Sequence, residues 1–306
     1  MIEIDGSYGE GGGQLVRTAI ALSAITRKPA RIVNVRARRD KPGLAPQHLA
    51  ALRAVAAICD ASSEGLELGS TAIAFSPGHL RGGTYRFDVG TAGSVTLVLQ
   101  AVLPALLACG APARVVVTGG TDVRQAPPAD YLAEVLLRHL ARLGAAARLA
   151  VTRRGYYPRG GGEIAVEVAP DGLRPFNWSA PGKLRALGGA AHVANLPAHI
   201  AERMRNAALA QLAGFGAREQ VATRVLGDAE ARGRGGSIVL WAETEHSVLG
   251  AARVAEFGVR AEALGEAVGR ELRADLEAGV TADVHAADQL LIYLALAGGE
   301  SSFTAR

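Results

Sequence analysis

Cysteine is nearly missing: Cys59 and Cys109 are the only two in 306 residues. Both sit in apolar, helix-like contexts (Ala-Ile-Cys-Asp and Leu-Ala-Cys-Gly). That excludes a disulfide framework and a Cys/His metal site, and it reads as two buried thiols in a reducing compartment. Lysine is scarce too, confined to Lys28, Lys41 and Lys183, so arginine supplies the basic charge. Aromatic residues make up 5% of the chain, which leaves Ala, Leu and Val to fill the interior. The longest apolar stretch, Val95 to Cys109, is interrupted by Gln100 and Pro104 and is too short to span a bilayer. Met1 leads straight into Ile-Glu-Ile-Asp, unlike a signal peptide. There is no P-loop, no Gly-x-Ser-x-Gly elbow and no convincing Ser/His/Asp set. The expectation is a soluble, cytoplasmic protein with no membrane partner.

Apolar residues make up 49% of the chain and charged residues 20%, which supports a substantial core. A net charge of +4 fits a polyanionic partner, although an Arg- and Ala-rich coding bias gives the same numbers. The chain also repeats itself. Pro29-Ala30-Arg31-Ile32-Val33 recurs 83 residues later as Pro112-Ala113-Arg114-Val115-Val116, and Asp5 maps onto Asp88 at the same shift. Each copy reads strand, Gly-rich turn, helix, strand, Pro-bearing loop, helix, then strands. That predicts an α/β fold of duplicated units, with sheets covered by helices. In the first copy the predicted helices are Gly12 to Ala24 and Gln47 to Ile58, and strands are expected at Leu66 to Leu68 and Ala72 to Ser76. Near Ala169 to Lys183 the composition turns to Pro, Gly, Asn and Asp, a boundary signal. Beyond it a smaller α+β segment is expected, until Ala287-Asp288-Gln289-Leu290 echoes Ala129-Asp130-Tyr131-Leu132. The predicted domains are therefore 1–180 with 281–306, and an insertion of 181–280. The third unit is expected to be incomplete at the C-terminus.

Chemistry concentrates in Asp5-Gly6-Ser7-Tyr8-Gly9-Glu10-Gly11-Gly12-Gly13-Gln14, followed by Arg17. A helix starting near Gly12 points free N–H groups into a loop that can approach a phosphate closely. Glu10 does not belong in a bare phosphate cradle, so it points to a bridging divalent cation, Mg²⁺ before others. The competing reading is a Gly-rich turn carrying a solvated glutamate. Arg36, Arg38, Arg39 and Lys41 crowd the next loop, either as a solvated face or as forks for phosphate oxygens. Gln47 and His48 open the helix after that loop. Gln100 sits inside an apolar helix, where a buried amide needs partners. Tyr156-Tyr157-Pro158-Arg159-Gly160-Gly161-Gly162-Glu163 reads as a hairpin with a flexible turn, with a binding role the weaker alternative, and Arg232-Gly233-Arg234-Gly235-Gly236 reads as a mobile hairpin loop, with RNA binding the weaker alternative.

Taken in order, these segments resemble the RNA 3′-terminal phosphate cyclase family. The resemblance rests on the Gly-rich segment, Arg36-Ala37-Arg38-Arg39, Gln47-His48-Leu49, Thr91-Ala92-Gly93-Ser94, Ala126-Pro127-Pro128, Tyr157-Pro158-Arg159-Gly160 and His285-Ala286-Ala287-Asp288-Gln289-Leu290. It implies a large domain of repeated α/β units with an inserted α+β domain. It implies ATP-dependent conversion of an RNA 3′-phosphate to a 2′,3′-cyclic phosphate through enzyme–AMP and RNA–AMP intermediates. Glu10 would hold the divalent metal (Mg or Mn). Arg17, Arg36 and Arg39 would grip phosphates beside Gln14, Gln47 and His48. Gln100, Pro127 and the run His285, Ala286, Ala287, Asp288 and Gln289 would hold adenosine, with Asp288 needed for activity. The family's adenylylated histidine would fall just past Arg306. The alternative that the resemblance leaves is a non-catalytic RNA-binding relative acting in ribosome assembly. An exposed sheet edge would also allow a homodimer.

Overall fold

The 83-residue repeat of the sequence is a repeat in space. In a computed structural model describing residues 1–9 and 11–306, the first unit runs β1 (Ile2–Asp5), α1 (Gly13–Thr26), β2 (Ala30–Val33), α2 (Pro46–Cys59), β3 (Ser62–Glu64) and β4 (Ile73–Ser76). The second runs β5 (Gly83–Asp88), α3 (Val95–Cys109), β6 (Ala113–Gly119), α4 (Ala129–Tyr131), a π-helical turn (Leu132–Leu136), α5 (Leu137–Arg142), β7 (Ala146–Gly155) and β8 (Gly162–Ala169). The sheet orders match, β1-β2-β4-β3 and β5-β6-β8-β7. In each unit the first two strands are parallel and the last two join antiparallel. The parallel pair needs a crossover helix, which α1 and α3 provide.

Local signals explain the helix ends. Pro46 occupies the first turn of α2, where its missing N–H costs nothing. The Ser94 hydroxyl caps α3 by accepting from the Leu97 N–H at 3.2 Å. Helix α3 is apolar nearly all round because α1, α2, β6 and the last helix of the chain pack about it. Two expectations need correction. The strand placed at Leu66 to Leu68 lies at Ser62–Glu64. Gly65 (φ +71°) and Gly69 (φ +79°) turn the intervening chain, and Leu68 is 65% exposed. Cys109 is only half-buried, at the C-terminal end of α3.

Residues 184–278 build a separate sheet. The segment comprises β9 (Leu184–Ala194), α6 (Ala198–Gln211), β10 (Arg218–Leu226), β11 (Ala231–Arg232), β12 (Gly235–Thr244), β13 (Val248–Val254) and α7 (Ala261–Ala278). The order is β10-β9-β12-β13, while β11 crosses over and pairs with β7 of the second unit. Leu187, Val193, Met204, Leu240, Leu249 and Leu272 form its own core. A Cβ on Gly265 or Gly269 would lie 2.1 or 2.4 Å from a carbonyl oxygen of α6, so these glycines allow α6 and α7 to touch.

The chain then returns to the first body through α8 (Val284–Leu296). Asn177 bridges Ser302 in parallel, with the Trp178 N–H donating to the Ser302 carbonyl at 2.8 Å. Helix α8 thus precedes a parallel partner strand, as α1 and α3 do, and it packs on α3. The expected alignment of Ala287–Leu290 with Ala129–Leu132 is therefore wrong. A four-residue Ala-Asp-x-Leu match is too short to fix a correspondence, and strand pairing decides it.

Candidate functional site

The loop after β1 is shaped by Asp5. Its Oδ1 accepts from the Ser7 N–H at 2.9 Å and from Asn34 Nδ2 at 3.2 Å. Gly11 (φ +57°) then feeds Gly12, the extended residue before α1. Glu10, the expected metal ligand, lies outside the described residues. His48 Nε2 comes so near Gly13 that a Cβ there would sit 2.0 Å away. His48 Nδ1 accepts the Ala45 N–H at 3.3 Å, closing the start of α2. Burial, reinforced by Arg17 and Arg36, pulls the His48 pKa down to about 4. His48 is thus a neutral wedge between α1 and α2 at physiological pH. Gln47, its neighbour, accepts the Ser94 N–H at 3.1 Å and ties the first unit to the glycine turn of the second.

Arg17, Arg36 and Arg39 border this helix start, and Arg38 donates to the Gly9 carbonyl at 3.4 Å. Arg36 donates to the Gly43 carbonyl at 2.7 Å, and burial together with Arg39 lowers its pKa. A Cβ on Gly12 would lie 3.5 Å from an Arg39 guanidinium nitrogen, so Arg39 covers the glycines. Arg17, one turn along α1, is buried. Its Nη2 donates to Gln100 Oε1 at 3.2 Å, while its Nε has no hydrogen-bond partner among the described residues. Desolvation lowers its pKa to about 10, against the pull of Asp288, so it stays charged at neutral pH. A buried cation with an unused donor fits an anionic ligand.

Arg17 and Gln100 occupy the same position in the two units, and α8 adds the third contribution. Gln14 Nε2 donates to Asp288 Oδ2 at 2.7 Å, and Gln289 Nε2 donates to the His285 carbonyl at 2.9 Å. Gln14, Arg17, Gln100, Asp288 and Gln289 line one cavity of about 320 Å³. Sequence reasoning named all five, and the fold brings them together.

A second cavity, of about 410 Å³, lies beside the first turn of α8. Its walls include the loop from Val123 to Pro128, Tyr131, Arg253 and His285. Pro127 is held through its carbonyl, which accepts from the Thr96 hydroxyl at 2.7 Å. His285 packs edge-on to Tyr131 and lies 3.3 Å from Glu271, which raises its pKa. Ala286 is buried and Ala287 half-buried in the same turn. Asp283 caps α8 through the His285 and Ala286 N–H groups, and it accepts from the Tyr131 hydroxyl at 2.6 Å and the Gly250 N–H at 2.9 Å. The β13 wall was invisible to sequence reasoning, because nothing local marks that strand as facing a cleft. Asp283 carried a readable signal, an Asp directly before a helix.

The loop lining this second cavity is anchored at both ends. Arg154 donates to Asp122 at 3.1 and 3.2 Å and to Asp130 at 2.6 Å. From the other sheet, the Ser237 hydroxyl donates to Asp122 at 2.8 Å, and His192 lies 3.8 Å from it. Asp122, Asp130 and His192 are the one ligand-like group of acids and histidines among the described residues. They do not fit a divalent ion, because the Arg154 guanidinium already occupies both carboxylates.

Fold and site together define an α/β protein of repeated units, with a cationic cleft at the helix starts and a roomy cavity beside it. Similarity to known proteins narrows the class. A family model described as RNA 3′-terminal phosphate cyclase matches residues 8–306. The RNA 3′-terminal phosphate cyclase of Nitrosospira multiformis is 56% identical over 100% of this chain and 87% of its own length. That of Methanopyrus kandleri is 47% identical over 99% of this chain and 88% of its own. That of Archaeoglobus fulgidus is 44% identical over 99% and 90%. The chain belongs to the RNA 3′-terminal phosphate cyclase family, whose members are ligase-type enzymes.

Proposed function

We propose that this chain acts on RNA 3′-phosphate ends, converting them to 2′,3′-cyclic phosphates with ATP as the energy source. The observation that carries the reading is buried Arg17, with its unused Nε, at the meeting point of α1, α3 and α8. Arg17, Arg36 and Arg39 hold phosphate oxygens at the start of α1, where the helix dipole adds to their charge. Gln14, Gln100, Asp288 and Gln289 orient the nucleotide, and the cavity between Pro127 and the His285–Ala287 turn takes the adenosine. Gln47 and neutral His48 fix the glycine loop rather than move protons. A divalent ion (Mg or Mn) belongs to Glu10 in this reading and would offset phosphate charge.

The chemical logic is one of leaving groups. An unactivated 3′-phosphate would have to expel oxide, whereas an adenylylated one expels AMP when the neighbouring 2′-OH attacks. Splitting the reaction through covalent AMP intermediates lowers each barrier. The adenylylated histidine is implied by the family resemblance alone, and no described residue is assigned that role. Residues 181–280 act in this reading as an inserted domain that walls the adenosine cavity, and the reaction runs in the cytoplasm.

The test uses an oligoribonucleotide labelled in its 3′-phosphate, incubated with ATP and Mg²⁺ and then treated with phosphatase. Cyclisation makes the label resistant. A label that stays fully sensitive, with ATP bound or not, counts against the proposal.

A further inference from the structure

A second cationic surface lies outside the phosphate site. The β7–β8 turn (156–161) and the β11–β12 turn (233–234) face each other across a cleft of about 600 Å³. Tyr157, Arg159, Asn195, Asp228 and Arg234 line it. Arg232 lies along Gly161, where a Cβ would sit 2.8 Å from its Cδ, and Arg159 lies 3.5 Å from the corresponding point on Gly233. Asn195 Nδ2 donates to the Gly233 carbonyl at 3.0 Å and fixes the second turn. Arg159, Arg232 and Arg234 are exposed, and among the described residues none has an ion-pair partner. Tyr157 is 80% exposed, on a chain with few aromatics.

The cleft adjoins the phosphate site. Gly160 sits so close to the Thr91–Ala92 segment that a Cβ would lie 2.7 Å from the Thr91 carbonyl oxygen. The next residues of that segment meet Gln47, beside His48. One loop therefore separates the two.

We propose that this cleft binds the single-stranded RNA just 5′ of the terminal phosphate. One base stacks on Tyr157, and Arg159, Arg232 and Arg234 take successive backbone phosphates. The inference rests on the reading of this chain as an enzyme of RNA 3′ ends. Guanidinium forks beside an exposed aromatic ring match single-stranded nucleic acid, whereas an acidic peptide would use the charges and leave the ring idle.

The test is fluorescence polarisation with end-labelled single strands bearing a 3′-phosphate, a dinucleotide and an oligomer of roughly ten residues. The oligomer should bind more tightly. Replacing Arg159, Arg232 and Arg234 together by Ser should weaken the oligomer roughly tenfold or more and leave the dinucleotide unchanged. The salt dependence of oligomer binding should flatten by about 0.7 in log–log slope for each phosphate that is no longer neutralised. Tyr157→Ala should weaken the oligomer roughly five- to hundredfold, and Tyr157→Phe should restore it. Equal binding of the two lengths, variants that weaken the dinucleotide as much, or a polyglutamate competing as well as RNA of equal charge would each overturn the proposal. A 3′-hydroxyl oligomer separates the two readings. If it binds as well as the phosphorylated one while length dependence persists, the end-recognition reading fails and the cleft stands. If phosphate preference persists without length dependence, the cleft assignment alone fails.

Discussion

Arg154→Met should be among the most damaging single substitutions in this chain. Arg154 is buried and spans Asp122 and Asp130, the residues that bracket the Val123–Pro128 loop. Burial disfavours the Asp122 carboxylate, yet Arg154 and His192 outweigh it and hold its pKa below the usual range. Removing the guanidinium leaves two enclosed carboxylates without a compensating cation. Breaking such a pair from one side costs about 3–5 kcal/mol. For a chain of this size that is a fall of roughly 5–10 °C in thermal midpoint. Because both ends of the loop lose their anchor, ATP affinity should fall as well. The double variant Arg154→Met/Asp122→Asn should recover part of the stability, since the two sites share one network. Thermal and urea melts of the three proteins, with ATP titrations alongside, make the test. A loss under about 1 kcal/mol, or a double variant no better than the single, would refute the clamp.

The remaining predictions concern the helix starts and the buried histidines. His48 and His139 are buried, and desolvation holds each near a pKa of about 4, against 6.5 when exposed. Protons therefore bind the unfolded chain preferentially. Stability is full above about pH 6.5 and falls as pH drops toward 4, by up to about 3 kcal/mol per histidine, and urea midpoints across that window should show it. Gly13→Ala should be disruptive despite the favourable helix propensity of alanine, because the new methyl would meet His48 Nε2 at 2.0 Å. Melting curves should show destabilisation, and Gly9→Ala, which has open space but a φ of +60°, should cost only the backbone strain of about 1 kcal/mol. Asp283→Ala removes a helix cap and strands the buried Tyr131 hydroxyl. A loss of about 2–4 kcal/mol with weaker ATP binding is expected, read by melting and titration.

The repeat was legible because its spacing survives in the chain. The pair Pro29–Val33 and Pro112–Val116 marks β2 and β6, and Arg17 and Gln100 face each other at the same shift. Helix starts were legible where Pro46 and Ser94 announce them. The edge strand Ser62–Glu64 was not, since it is polar and exposed while the apolar Leu66–Leu68 beside it forms the turn. The place of α8 was hidden by the long insertion that precedes it. The polar side chains of the candidate site could be named one by one from Gly-rich and Arg-rich segments. The apolar walls could not, because Tyr131 and β13 look like ordinary core until the second sheet packs against the first. Arg154, His192 and Ser237 were illegible for a related reason: their partners Asp122 and Asp130 lie from 24 to 115 residues away, outside their own strands, and no local pattern encodes that meeting.

The most direct test is a crystal structure of this chain with ATP and Mg²⁺. The account predicts adenine in the cavity between Pro127 and His285, with phosphate oxygens reaching Arg17 and the arginines over the start of α1. A nucleotide bound elsewhere, with Arg17 Nε still unused, would contradict it.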